Sequence, residues 1–141
     1  MSDVVDRLLA LWTDLPADDE AAVESFRQLY ADPVRVNGAE FSAAGLVGRA
    51  RTLGAAFEGL KLEVIDEFEA PDRVVVVHRM TGRHVGPLPT PLGEVAGTGR
   101  LLEGITIDVL FVADDRITDV WVTGDDLARL VQLDAVRLTQ P

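Results

Sequence analysis

"LKLEVIDEFEAPDRVVVVHRMTGRHV", residues 60–85, is where the apolar period of this chain changes, and that change decides the fold class. Leu62, Val64, Asp66 and Phe68 alternate with Lys61, Glu63, Glu67 and Glu69, the pattern of a strand with one wet face. "APDR" makes the turn into a second strand-like run, residues 74–85. Downstream, "GRLLEGITIDVLFV" (99–112) and "RITDVWVT" (116–123) read as two more strands, joined tightly at Asp114-Asp115. Between them "PLPTPLG" (87–93) is expected to be a loop within the sheet, because its three prolines cannot donate to a ladder.

Upstream of residue 60 the spacing is helical. Val4, Val5, Leu8, Leu11, Trp12 and Leu15 form one stripe, stopped by Pro16. Asp18, Asp19 and Glu20 open a second helix with Val23, Phe26 and Tyr30 on one face, since carboxylates favour helix N-termini. "VRVNGAEFS" (34–42) places Asn37-Gly38 at a hairpin turn, and Ser42 caps a third helix carrying Leu46, Ala50, Leu53 and Phe57. A short helix over 124–133 closes the chain. Helices followed by hairpin-linked strands define an α+β domain, a single one over 1–141, in which a mainly antiparallel sheet curls around the helices.

Composition narrows the partners. The 13 basic and 24 acidic side chains give a net charge of −11, which opposes binding to nucleic acid or an anionic membrane. With no cysteine there is no thiolate chemistry and no cysteine-ligated metal. The start "MSDVVDRLLALW" lacks the pattern of a secretion signal, and no apolar run reaches the ~20 residues that span a bilayer. A cytoplasmic protein is expected.

Several candidate sites lose their mechanism on inspection. Gly97 and Gly99 begin a dinucleotide fingerprint, but Leu102 stands where its third glycine belongs and a strand follows instead of a helix. His78 and His84 share a strand face, yet six residues of straight strand separate them by ~20 Å, so they do not share a metal, and none is expected. Only Ser2, Ser25 and Ser42 occur, and none lies in a nucleophile motif. Carboxylates and histidines remain. Asp125 and Asp126 lie between the last strand and the terminal helix, where they either cap that helix or face the end of a sheet-lined cavity. Asp66 and Asp108 sit in apolar alternations, where a buried carboxylate is either a base or a partner for Arg79 or Arg100.

"TGRHVGPLPTPLGEVAGTGR" (81–100) resembles a segment of the SnoaL-like polyketide cyclases, with Gly82, His84, Gly86 and Gly99-Arg100 at the matching places. "VLFVADDRITDVWVTGDDLARLVQLDAV" (109–136) is similar to that family's closing strand pair and terminal helix through Ile117, Trp121, Asp125 or Asp126, Leu130, Gln132 and Leu133. The resemblance covers nearly the whole chain and implies a cone-shaped α+β barrel, a homodimer and a pocket for a small apolar organic molecule. It implies aldol-type acid–base chemistry without metal or organic cofactor, with Asp125 or Asp126 as base. His84 joins them as a catalytic candidate. His78, Arg79, Arg100, Trp121, Asp108 and Asp66 are the candidate substrate contacts. The chain departs from the cyclases in "GITIDVLFV" (104–112), which lacks their penultimate-strand histidine. Two other activities of the wider superfamily are a limonene-type epoxide hydrolase, whose Asp-Arg-Asp pattern breaks here at Thr81 after Arg79, and a noncatalytic binding or dimerisation module.

Overall fold

The computed structural model describes residues 2–140. The N-terminal half runs α1 (Ser2–Thr13), α2 (Asp19–Leu29), β1 (Tyr30–Val36), β2 (Ala39–Phe41) and α3 (Ala43–Ala56). The remainder is β3 (Phe57–Ala70), β4 (Arg73–His84), β5 (Leu88–Thr90), β6 (Gly93–Val95), β7 (Leu101–Ala113), β8 (Arg116–Gly124) and α4 (Asp126–Gln132). Six strands form one curved sheet in the order β2-β1-β8-β7-β4-β3, antiparallel throughout except that β1 runs parallel to β8. No helix among the described residues is long and apolar enough to cross a membrane.

Local chemistry explains the element ends. Asp18 accepts from the Ala21 N–H and Ser42 from the Gly45 N–H, so α2 and α3 begin where a side-chain oxygen meets a free backbone donor. Asn37 and Gly38 both take positive φ, 51° and 84°, as the tight β1–β2 turn requires. Tyr30 and Phe57 belong to strands, although helical spacing assigns both to helix faces. Each is the extended C-cap of its helix, so the chain passes directly from helix into sheet. Segment 87–93 also differs from expectation, since Leu88–Thr90 pairs with Gly93–Val95 in a separate two-stranded ribbon. Pro89 is tolerated there because residues of an antiparallel pair exchange hydrogen bonds only at alternate positions.

The alternation along β4 sets the inner face of the sheet. Val74, Val76, His78, Met80, Gly82 and His84 are buried, and the residues between them are not. On β7, Leu102, Gly104, Asp108 and Leu110 are buried in the same phase. The three N-terminal helices fill one part of this concavity, with Val5, Phe26, Val34, Val74, Val76 and Leu110 fully buried between helices and sheet. A second apolar cluster around Phe57, Met80, Leu102 and Leu133 closes another part. Two bulges bend β3, one at Gly59-Leu60 and one at Ile65. The second has a large consequence: Val64 lies opposite His78, but Asp66 lies opposite Val77, so the extra residue reverses the facing of everything after it. Asp66 and Phe68 are therefore exposed on the convex face, not directed inward as strict alternation predicts.

Candidate active site on the concave face

Between the helices and the sheet lies a cavity of about 340 Å³. Its walls are mainly apolar: Leu8 and Trp12 from α1, Leu53 from α3, Met80 from β4, Val120 from β8 and Leu130 from α4. The polar groups that face it are few, and they come from distant parts of the chain. Tyr30, Arg49, His78, Thr90, Thr106, Asp108, Asp126 and Arg129 all line it.

His78 and Asp108 form its most buried polar pair, each only 8% exposed. They sit on the adjacent strands β4 and β7, and His78 Nε2 lies 2.8 Å from Asp108 Oδ2. A carboxylate can only accept, so Nε2 carries the proton. Nδ1 has no hydrogen-bond partner among the described residues, which leaves a lone pair on that nitrogen when the ring is neutral. Asp108 therefore has a partner, as a buried carboxylate must, but the partner is His78 and neither Arg79 nor Arg100.

Tyr30, the chain's single tyrosine, lines the same cavity from the start of β1. Trp12 Nε1 donates to its hydroxyl oxygen at 2.9 Å, and its ring stacks on Phe26 with centroids 5.5 Å apart. Burial pushes the Tyr30 phenol well above its ordinary value; the Trp12 hydrogen bond opposes this and the charge of Asp108 adds to it. The phenol thus stays protonated with its own O–H available to donate. Because the folded pKa is raised, this contribution to stability is complete below the unfolded value of about 10 and is lost as pH rises beyond it. An alkaline ultraviolet titration reads this residue alone: phenolate absorbance is expected only as circular dichroism reports unfolding. Ionisation near pH ~10 with the fold intact would contradict the buried placement.

The other residues singled out from sequence are scattered. Asp126 reaches the cavity, with its side chain 60% exposed and 3.5 Å from Arg129. Asp125 caps α4, accepting from the Ala128 N–H at 2.9 Å. His84 is fully buried outside the cavity lining, beside the Phe57 ring. Its Nδ1 accepts from the Thr98 N–H at 3.2 Å, which ties β4 to the segment leading into β7. Arg79 lies on the convex face, 3.2 Å from Glu103. Arg100 donates to the Gln132 carbonyl at the end of α4. Trp121 is 56% exposed on the convex side, and Asp66 is exposed there as well. Of the nine candidates, the cavity collects His78, Asp108 and Asp126. Sequence reasoning missed Tyr30, Trp12, Thr106 and Arg129 as cavity residues. The sole tyrosine, at a helix-to-strand junction, was the one available signal.

A curved sheet wrapped on helices around an apolar chamber, with a few buried polar groups inside, defines a cone-shaped α+β pocket protein. The family profile described as SnoaL-like polyketide cyclase matches residues 2–133, and the chain belongs to that family. Among solved structures, TsrD from Streptomyces laurentii superposes with a TM-score of 0.79 at 23% identity, covering 96% of this chain and 95% of that one. AclR from Streptomyces galilaeus, a proposed hydroxylase, gives 0.74 at 22% identity, with 99% and 87% covered. IdmH from Streptomyces antibioticus, a proposed polyketide cyclase, gives 0.73 at 23% identity, with 94% and 97% covered. At these identities the likeness is one of fold. No curated protein sequence matches the chain.

Proposed function

We propose that this protein is an acid–base catalyst that needs no cofactor and acts on a small, largely apolar carbonyl compound, as a cyclase or isomerase. The observation that carries the reading is the His78–Asp108 pair, buried in an apolar cavity with Nδ1 of the imidazole uncommitted. His78 Nδ1 takes a proton from a carbon beside a carbonyl. The C–H electron pair forms the enolate, whose oxygen receives a hydrogen bond from the Tyr30 O–H. Asp108 stabilises the imidazolium and keeps the ring oriented. In cyclisation the enolate carbon bonds to a second carbonyl carbon, and the imidazolium returns its proton to the new alkoxide. In isomerisation the proton returns to a different carbon.

This reading moves the base from the terminal segment to β4. Asp125 is occupied in capping α4, and His84 is held by Thr98 outside the cavity. Asp126 is the competing base, since it also lines the chamber. Exchange of the α-hydrogens of 2-tetralone for deuterium, followed by NMR, separates the two. H78Q is expected to lose catalysed exchange while D126N keeps most of it, and the reverse result would restore the terminal aspartate.

The family resemblance also supports a homodimer, formed through the convex face. Phe68, Ile105, Ile107 and Trp121 are exposed there, an apolar surface that costs free energy to leave in water. Sedimentation is expected to show a dimer that Trp121→Glu converts to monomer. A monomeric parent protein would refute this.

A further inference from the structure

The cavity contains a cation that the proposed proton transfer does not use. Arg129 extends from α4 across β7 and β8, and its side chain is only 14% exposed. Its guanidinium lies over Gly104 and Gly124, where a β-carbon at either position would overlap it. Two strands thus lack side chains at the place where this one group rests. Nη2 is fully engaged, donating to Thr106 Oγ1 at 3.0 Å and to the Ile105 carbonyl at 3.4 Å. Among the described residues Nη1 has only Asp126, at 3.5 Å, and that carboxylate is largely in water. The fixed Nη2 and the loosely held Nη1 describe an arginine that is oriented yet still has donor capacity towards the chamber it lines.

Its position relative to the His78–Asp108 pair is set by strand register. Thr106 lies directly opposite His78 on the paired strand, and Asp108 is two residues further along the same face of β7. Directly opposed residues of an antiparallel pair have Cα atoms about 4.5–5.5 Å apart. A ligand seated against Arg129 at one end therefore brings a carbon to His78 at a distance of a few bonds.

We propose that Arg129 is a carboxylate-binding subsite, and that the substrates of this cavity are apolar organic acids with the reacting carbon a few bonds from the carboxylate. The role assigned to the reacting carbon rests on the proposed proton transfer; the carboxylate preference does not. Arginine suits this task because its planar N–H donors match a carboxylate, and an apolar chamber strengthens the attraction. The chain's overall negative charge gives an acid no long-range attraction, so selectivity must come from a local contact; the other arginine of the lining, Arg49, is exposed and stacks over the Phe41 ring, whereas Arg129 is held against the sheet.

Calorimetric titration with 2-naphthoate and its neutral analogue 2-acetylnaphthalene tests the inference. The parent protein is expected to bind the carboxylate at least about tenfold more tightly than the ketone. R129Q is expected to abolish the difference while holding the ketone with nearly parental affinity. R129K keeps a cation in place and tests the same point if R129Q does not fold; it is expected to retain a reduced preference. Equal affinities in the parent, binding of neither compound, a preference that survives R129Q or one that is undiminished in R129K would each overturn the proposal. The titration involves no turnover, so its failure is distinct from a failure of 2-tetralone exchange.

Discussion

Replacing His78 by Gln is expected to slow catalysed deuterium exchange into 2-tetralone by about 10²–10⁴-fold, the range that a positioned general base contributes. Glutamine preserves much of the imidazole's size and can still donate to Asp108, so the buried carboxylate is not left without a partner. What it removes is the lone pair of Nδ1, since an amide nitrogen is not a base. The effect should therefore appear in kcat, with a smaller change in KM, because the ground-state cavity walls are untouched. Circular dichroism and thermal unfolding should confirm a folded variant. Exchange at the parental rate in folded H78Q would remove His78 from the reaction.

Asp108→Asn should have a comparable effect by a different route. Asp108 can only accept from Nε2, which holds the imidazole proton on that nitrogen and leaves Nδ1 basic. Asparagine offers an N–H as well, and an amide that donates to Nε2 forces the proton onto Nδ1, the nitrogen required to be free. Where a carboxylate orients a catalytic histidine, the same substitution has cost about 10⁴-fold through the wrong tautomer. An expected loss of about 10²–10⁴-fold in exchange rate follows, with NMR of the His78 ring nitrogens reporting the tautomer directly. If exchange is retained while the proton shifts to Nδ1, the orienting role of Asp108 is refuted even though the pair exists.

The two substitutions and the Tyr30 titration examine three parts of one arrangement. In the proposed reaction His78 holds the proton in transit, Asp108 sets which nitrogen receives it, and Tyr30 supplies a donor to the oxygen that becomes charged. None of these residues is adjacent in sequence to another, and each comes from a different strand. An apolar chamber matters to all three, because a hydrogen bond to a developing charge is stronger where water does not compete.

The switch of apolar period near residue 60, the Asn37-Gly38 turn and the caps at Asp18 and Ser42 are local signals, and each was legible in sequence because it depends on residues within one turn or one strand. Alternation also put His78 and His84 on one face and Asp108 in an apolar phase, and all three are buried. The same rule failed for Asp66, because the bulge at Ile65 inserts one residue and a period of two reverses its facing with every single-residue slip. The composition of the site was beyond local reasoning. Strand pairing brings His78 to Asp108, the junction of α2 with β1 delivers Tyr30, and α4 folds back to lay Arg129 over two glycines on other elements. Periodicity along a chain specifies which way a side chain points; only long-range pairing and helix docking specify what it meets.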